Sequence, residues 1–215
     1  MFEQFCIENN IAEIGYSRVD YTTKAGTMLS HAVTVVLKLS DAVVDEIQGA
    51  PTFSYFHHYR TLNAAIDRII LSMSQWFELE GYKTMPVPAS QTISDDHSAM
   101  FSHKKAAVLA GLGYIGKSAL FISHKYGARV RLGTLLTDKA FDVPDFDYKD
   151  GCGDCDLCVK ACPAMAISGR VYNPSMKRED FYDARACSNY MKDKFQHIGR
   201  GAVCGLCIAC CPKAT

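Results

Sequence analysis

The chain has 215 residues, 48% of them hydrophobic and 21% charged, a composition that predicts a globular protein. Its 23 Lys and Arg residues balance its 23 Asp and Glu residues, so the overall charge gives no sign of a broad nucleic-acid-binding surface. No apolar run reaches the roughly 18 residues that a membrane span needs, and the acidic start MFEQFCIENN lacks the pattern of a signal peptide. We therefore expect a cytoplasmic protein with no membrane partner, in which many cysteines indicate metal binding rather than disulfides.

The first 145 residues predict one mixed α/β domain. An apolar, β-branched run, AVTVVLKL, is typical of a buried strand, and a long stretch of apolar residues at helical spacing is typical of an amphipathic helix. The predicted elements are a strand over 32–39, a helix over 59–80 that ends at Gly81, a helix over 98–110, and a strand over 129–136 with a candidate β-bulge at Gly133.

The cysteines divide the chain into two parts. Cys6 stands alone, and the other nine lie between Cys152 and Cys211. The segment FDVPDFDYKDG, residues 141–151, has a proline, a closing glycine and four aspartates, and it predicts a linker. We therefore expect a domain over residues 1–145, called the body, and a module over residues 146–215, called the tail.

The tail opens with the motif C-x2-C-x2-C-x3-C-P. Its members are Cys152, Cys155, Cys158 and Cys162, followed by Pro163. This is the spacing of bacterial ferredoxins, in which three close thiolates hold one 4Fe–4S cluster and the fourth reaches a second cluster. A structural zinc site is the alternative, but its cysteine pairs are usually separated by longer spacers.

A second, incomplete copy of the motif follows. Cys204, Cys207 and Cys211 precede Pro212, and the place of a first cysteine is taken by Gly201. Cys187 is then the remaining candidate for the missing ligand. With the crossover of the ferredoxin pattern, the sequence predicts cluster one, held by Cys152, Cys155, Cys158 and Cys211, and cluster two, held by Cys162, Cys187, Cys204 and Cys207.

Cys210 leaves an alternative open. Cys204, Cys207 and Cys210 also form a C-x2-C-x2-C run, so Cys210 competes with Cys211 as the ligand of cluster one. Pro212 after Cys211 mirrors Pro163 after Cys162, and this favours Cys211.

The most distinctive motif of the body is GLGYIGK at residues 111–117. It matches the G-x-G-x-x-G fingerprint of dinucleotide sites, but that fingerprint must follow a strand, whereas this motif follows a predicted helix. A helix C-cap and tight turn built from glycines is the interpretation that the local sequence favours. A cofactor contact along the backbone of that turn is compatible with it.

The run Asp95-Asp96-His97 precedes the second predicted helix. Its local interpretation is an N-terminal cap, since acidic residues are favoured at that end of a helix. Its functional interpretation is an acid–base group, because histidine titrates near neutral pH.

The order of motifs from Ala110 onward carries a family resemblance. The segments AGLGYIGKSALFIS, RVRLGTLLTD, CGDCDLCVKACPAMAI, ARACSNYM and CGLCIACCP follow one another as in the epoxyqueuosine reductase family, which is related to the reductive dehalogenases. The chain resembles a short, divergent member, since it stops at Thr215 without the helical-repeat extension of many tRNA-acting members. The resemblance implies a nitroreductase-like α/β domain that holds a cobalamin and a ferredoxin-like module with two 4Fe–4S clusters that feeds it electrons.

The resemblance also implies roles for individual residues. The family's proton donor is an aspartate about fourteen residues before the first glycine, and that count lands on His97, or on Asp96 after a shift of one residue. The residues implied to line the corrinoid are Gly111, Leu112, Gly113, Tyr114, Ile115, Gly116, Lys117 and Ser188.

The implied activity is that of an oxidoreductase. It takes electrons from an external flavodoxin-like or ferredoxin-like donor and reduces a small electrophile, which is an epoxide on a modified nucleoside in the family's type reaction. Binding of tRNA is compatible with the family but finds no support in the net charge. A non-catalytic electron carrier or corrinoid-handling protein, and a flavin in place of the corrinoid, are the alternatives.

Overall fold

The computed structural model describes residues 2–90, 97, 99–145, 147–201 and 203–213. Within these ranges the body is built on an antiparallel sheet of four strands in the order β1-β2-β6-β3, with a separate two-stranded hairpin, β4-β5. The strands are β1 Glu13–Thr22, β2 Met28–Lys38, β3 Thr84–Val87, β4 Gly113–Ile115, β5 Phe121–Ser123 and β6 Val130–Thr137. The helices of the body are α1 Phe2–Glu8, α2 Asp41–Asp45, α3 Phe53–Leu79 and α4 His103–Leu109.

Strand β2 is the centre of the body, and it confirms the strand predicted over 32–39. It pairs with β1 on one side and with β6 on the other. Its alternate residues Val33, Val35 and Leu37 pack under α3, while Val36 packs on the opposite face with α4 and the hairpin. Both faces are covered, which is why the strand is apolar throughout rather than alternating.

Helix α3 confirms the long helix, which begins six residues earlier than predicted. Thr52 caps its first turn, since its hydroxyl accepts a hydrogen bond from the backbone N–H of Tyr55. Gly81 ends it as expected, because it adopts a φ of +90° that other residues rarely take.

Helix α4 is shorter than the predicted helix over 98–110. It begins at His103, because the Ser102 hydroxyl accepts from the N–H of Lys105 and forms the N-terminal cap. The prediction that Asp95-Asp96-His97 caps this helix is therefore wrong; Asp95, Asp96 and Ser98 lie outside the described residues. The predicted C-cap is confirmed, since Gly111 has a φ of +71° and the N–H of Leu112 bonds the carbonyl of Ala107.

Gly133 does not form the β-bulge that its sequence suggested. The pairing of β2 with β6 runs without a break, and Gly133 lies opposite Val35. A Cβ added at Gly133 would lie 2.3 Å from Cγ2 of Ile66, so glycine is needed here for the close approach of α3 to the sheet.

We expect Gly133→Ala to lower the free energy of unfolding by about 1–3 kcal/mol, because the new methyl group overpacks the contact between α3 and β6. Chemical denaturation measures the change. The double variant Gly133→Ala, Ile66→Ala completes a double-mutant cycle, and its loss should be smaller than the sum of the single losses. Strict additivity would contradict the packing explanation.

The tail consists of short helices joined by loops and packs on the body through apolar contacts. Its α-helices are α5 Leu157–Ala161, α6 Ala184–Lys194 and α7 Leu206–Ala209. Ile198, Val203 and Ile208 of the tail join Tyr55 and Tyr114 of the body in one buried cluster. None of the helices within the described ranges combines the length and the apolar character that crossing a membrane requires.

Candidate functional site

The structure gathers the cysteines assigned to cluster one. Burial, together with the neighbouring sulfurs of Cys210, Cys152, Cys211 and Cys155, raises the pKa of the Cys158 thiol to about 11. Burial also raises the pKa of Cys211, with a further contribution from Cys155. The four thiols come from two segments that are about fifty residues apart in the chain, and the fold brings them to one place.

The cysteines assigned to cluster two form a second group. Burial raises the pKa of Cys204, and the sulfurs of Cys187 and Cys162 contribute. The pKa of Cys207 is raised by burial and by the sulfurs of Cys204, Cys187, Cys210 and Cys162. Cys187 lies on α6 and accepts a hydrogen bond from the hydroxyl of Tyr182. Helix α6 thus places Cys187, the predicted replacement for the missing cysteine, beside the second motif.

Cys210 lies between the two groups, close to Cys158 of the first and to Cys207 of the second. Its position leaves the choice between Cys210 and Cys211 open. Among the described residues, no three His, Cys, Asp or Glu side chains converge closely enough to hold a single metal ion. Cysteines that are too far apart to share one metal ion are compatible with a 4Fe–4S cubane, because its four thiolates each bind a different iron atom.

Backbone N–H groups face several of these sulfurs. Burial raises the pKa of Cys152, and the N–H of Lys117 partly offsets this by donating to the sulfur. The N–H of Leu206 does the same for Cys204. Such donors favour the thiolate form, which is the form that binds iron. Lys117 belongs to the glycine motif, so the body itself contacts the first group of thiols.

The glycine motif forms strand β4 and the turn that follows it, and most of it packs inside the protein. A Cβ at Gly113 would lie 2.0 Å from the carbonyl oxygen of Ile122 on β5, and one at Gly116 would lie 3.2 Å from the sulfur of Cys152. The side-chain ammonium of Lys117 donates to the carbonyl of Cys155 at 3.0 Å. These glycines are thus explained by the hairpin and by the first cysteine loop.

A cavity of about 690 Å³ lies between the body and the tail. Helix α4 with the segment before it, strand β4 and the tail segment 172–181 form its walls. Its apolar lining includes Phe101, Ile115, Tyr172 and Phe181, and its basic lining consists of His97, His103, Lys104, Lys105, Lys177 and Arg178. Ile115 is the one member of the glycine motif in this lining, and Ser188, on α6, is absent from it. Of the residues predicted to line a corrinoid, the structure thus places Ile115 in the wall of this cavity, and the corrinoid contacts themselves stay a prediction.

The basic side chains of the cavity are held by specific contacts. Lys104 donates to the carbonyl of Ala119 at 2.7 Å, and burial with the nearby charge of Arg178 lowers its pKa to about 8. Arg178 pairs with Glu179 at 2.9 Å. No sequence pattern predicts this set, because its members come from two segments about seventy residues apart.

The two histidines of the cavity differ in their contacts. His103 uses both ring nitrogens, with Thr134 at 2.8 Å and the carbonyl of Pro88 at 2.9 Å, so its role is structural. His97 has a φ of +59°, and its carbonyl accepts from Arg178 at 2.9 Å. A non-glycine residue in this conformation is uncommon, and such residues cluster at functional sites. The structure thus places one predicted proton donor, His97, on the cavity, while the other, Asp96, lies outside the described residues.

The lining of the cavity fits a large ring cofactor with polar side groups. Phe101, Ile115 and Tyr172 offer apolar surface, while Lys104, Lys105 and Lys177 offer donors to amide or phosphate oxygens. A volume of about 690 Å³ lies within the range of about 300–1,000 Å³ that is usual for ligand sites. A corrinoid and a flavin both carry such groups.

Known proteins resemble this chain in its cysteine-rich tail and over most of its length. Residues 151–214 match the family described as the 4Fe-4S double cluster binding domain. The epoxyqueuosine reductase of Staphylococcus aureus is 33% identical over 129 residues, covering 59% of this chain and 33% of that protein. The epoxyqueuosine reductase of Gloeobacter violaceus is 26% identical over 191 residues, covering 84% of this chain and 55% of that protein. The chain thus spans between a third and about half of the length of these relatives.

Solved structures share the fold at lower sequence identity. A catabolic reductive dehalogenase aligns with a TM-score of 0.73 and 20% identity, over 95% of this chain and 30% of that one. An epoxyqueuosine reductase bound to an epoxyqueuosine-modified tRNA stem loop gives a TM-score of 0.62 and 17% identity, over 99% and 65% of the chains. A reductive dehalogenase whose structure suggests a mechanism for B12-dependent dehalogenation gives a TM-score of 0.58 and 19% identity, over 73% and 23%.

The fold and the cysteine groups define an iron–sulfur protein in which a mixed α/β body carries a double 4Fe–4S cluster domain. Within that class, the chain is similar in sequence to epoxyqueuosine reductases, and it shares its fold with a reductive dehalogenase.

Proposed function

We propose that this chain is an iron–sulfur reductase in which two 4Fe–4S clusters deliver single electrons to a corrinoid in the cavity, where a small electrophilic group is reduced. One observation carries the proposal. Ile115 lines the cavity, and the next residue, Gly116, lies against the sulfur of Cys152. An electron acceptor in the cavity would therefore be separated from cluster one by about one residue.

The proposed ligand sets follow the two groups of thiols. Cluster one takes Cys152, Cys155, Cys158 and Cys211, and cluster two takes Cys162, Cys187, Cys204 and Cys207. The proposed domains are the nitroreductase-like body, residues 1–145, and the ferredoxin-like tail, residues 146–215. Cluster two would receive electrons from an external flavodoxin-like or ferredoxin-like donor and pass them to cluster one.

The body residues of the cavity would bind the cofactor and control water and protons. A bound corrinoid supplies low-valent cobalt, a strong reductant and nucleophile. Phe101, Ile115 and Tyr172 would exclude water from its reactive face. Lys104 and Lys177 would bind its polar side groups, and His97, or Asp96, would donate the proton that the reduced product requires.

The substrate class is inferred from the relatives and from the charge of the cavity. The related epoxyqueuosine reductases act on a modified nucleoside, and one of them binds a modified tRNA stem loop. Among the described lining residues, two lysines of α4 and two basic residues of the tail outnumber the single carboxylate, Glu179. This excess of positive charge favours a substrate or cofactor that carries phosphate.

Cobalt retention tests the proposal most directly. The protein is reconstituted anaerobically with iron and sulfide, incubated with cobalamin or with flavin mononucleotide, and separated from free cofactor. We expect about one cobalt per chain and no retained flavin. Ala99→Trp should abolish cobalt retention at unchanged iron content, because Ala99 is exposed and lines the cavity, so that the indole fills the space without disturbing the core.

Ala42→Trp is the matched control, since Ala42 is also exposed but lies on α2, away from the cavity lining. Retained flavin in place of cobalt would contradict the corrinoid assignment, while the proposal that the chain is a reductase would stand. Loss of both cofactors at full iron content would favour a non-catalytic electron carrier.

A further inference from the structure

The hydroxyl of Tyr114 is buried without a hydrogen-bond partner among the described residues. The residue is 5% exposed and lies in the middle of β4. A buried tyrosine hydroxyl nearly always has a partner, because losing its water without replacement costs free energy. The orphaned donor therefore calls for an explanation.

The surroundings of Tyr114 point to cluster one. Its ring lies over Gly151, where an added Cβ would fall 2.6 Å from the hydroxyl oxygen, and Gly151 directly precedes Cys152. The ring also shares a packed cluster with Cys152 and Cys211. Both of these cysteines belong to the ligand set proposed for cluster one.

The neighbouring side chains of Asp150 and Tyr148 already make other hydrogen bonds. The carboxylate of Asp150 accepts from the backbone N–H groups of Cys152 at 3.1 Å and Gly153 at 2.9 Å. The neighbouring Tyr148 donates its own hydroxyl to the carbonyl of Ile115 at 2.9 Å. The sulfurs of Cys152 and Cys211 pack in the same cluster as the Tyr114 ring, and each can accept a further hydrogen bond because a thiolate has three lone pairs.

We propose that the Tyr114 hydroxyl donates a hydrogen bond to a sulfur of cluster one and raises the reduction potential of that cluster. The acceptor is the thiolate of Cys152 or Cys211, or an inorganic sulfide between them. A reduced cluster carries one more negative charge than an oxidised one, so a donor stabilises the reduced form more. This inference rests on the proposed function, because it uses the proposed assignment of Cys152 and Cys211 to cluster one.

The consequence for electron transfer is directional. Cluster one lies close to the cavity, since Gly116 beside Cys152 is joined to Ile115 in the cavity wall. A raised potential draws electrons from cluster two toward cluster one. Tyr114, the Lys117 N–H and Gly116 are all in the glycine motif, which links the body to the electron-accepting end of the tail.

Redox titration of the reconstituted full chain, followed by EPR, tests the proposal. We expect Tyr114→Phe to lower the equilibrium constant for reduction of one cluster about tenfold. For a one-electron couple this is a fall of about 59 mV in the midpoint potential of that cluster. The midpoint of the other cluster should stay unchanged. Tyr148→Phe is the matched control and should move neither midpoint, because its hydroxyl is bonded to the backbone.

Unchanged midpoints in a Tyr114→Phe protein that holds both clusters would overturn the inference, as would an equal shift in Tyr148→Phe. If the Tyr114→Phe variant assembles fewer clusters, its midpoint potentials cannot be compared with those of the wild type. The hydrogen bond is then tested in wild-type protein that has been soaked briefly in D2O. A hydroxyl proton exchanges quickly and buried amides exchange slowly, so ENDOR of reduced cluster one should show a fast-exchanging deuteron, and its absence would overturn the inference. A wild-type protein that binds fewer than two clusters would instead contradict the proposed function.

Discussion

Cys187→Ala protein, reconstituted anaerobically, should hold about four iron atoms per chain where the wild type holds about eight. Cys187 reaches the second group of thiols from α6, close to Cys162 and Cys204. Without it, three thiolates remain for a cubane that needs four. If the cubane loses only the iron that Cys187 binds, the count falls to about seven and a three-iron EPR signal appears. Iron and sulfide analysis with EPR distinguishes the two results.

Cys210→Ala is the matched control, since Cys210 is also a partly buried tail cysteine and is not assigned to either cluster. We expect it to keep about eight iron atoms and Cys211→Ala to lose iron from cluster one. The reverse result would exchange these two residues in the ligand set. Full iron content in Cys187→Ala would contradict the crossover assignment for cluster two.

The cysteine groups could be predicted from the sequence because their geometry is local. Two-residue gaps let one loop surround three corners of a cubane, and the crossover then leaves few choices for the remaining ligands. The structure brings together the two predicted sets. It could not separate Cys210 from Cys211, since both lie near Cys158 and Cys155.

The fold of the body was predictable where periodicity was strong and hidden where it was weak. Strand β2 and helix α3 carry long apolar patterns, and both were predicted. Strand β1 was missed because its sequence, EIGYSRVDYT, mixes polar residues and a glycine into a half-exposed strand. Strand β3 was missed because it has four residues and contains Pro86, which is tolerated at the sheet edge that it occupies. The hairpin was missed because each of its strands has only three residues, and the first strand, β4, lies within the glycine motif.

The cavity could not be predicted from the sequence, because the segments that form its walls come together only in the folded chain. Lys177 and Arg178 gave no pattern of their own, and they reach the cavity because the tail segment packs on the hairpin through Tyr172 and Phe181. The glycine motif illustrates the same limit. Its helix-capping role follows from local sequence, whereas the contact of Gly116 with Cys152 depends on how the tail returns to the body.

His97→Ala should lower the turnover of a susceptible substrate by about 10²–10⁴-fold while leaving iron and cobalt content unchanged, because loss of a positioned proton donor slows the protonation step by about that factor. His97 lines the cavity, and its backbone φ of +59° with the 2.9 Å bond from Arg178 fixes its position. The substrates to test are an epoxyqueuosine-modified tRNA stem loop, the free nucleoside, tetrachloroethene and 3-bromo-4-hydroxybenzoic acid. Single-turnover assays with prereduced protein separate the chemical step from electron supply.

His57→Ala is the matched control, since His57 is an exposed histidine on α3 outside the cavity lining, and its loss should not change the rate. Asp96→Asn tests the other candidate donor. A rate that falls with Asp96→Asn and not with His97→Ala would assign the proton to Asp96. Turnover unchanged in the variant that combines both substitutions would contradict a local proton donor, and no turnover of any substrate by wild-type protein with full cofactor content would favour the electron-carrier function. The proton donor therefore decides between an enzyme and a carrier, because both would need the same clusters and only the enzyme would need a proton delivered inside the cavity.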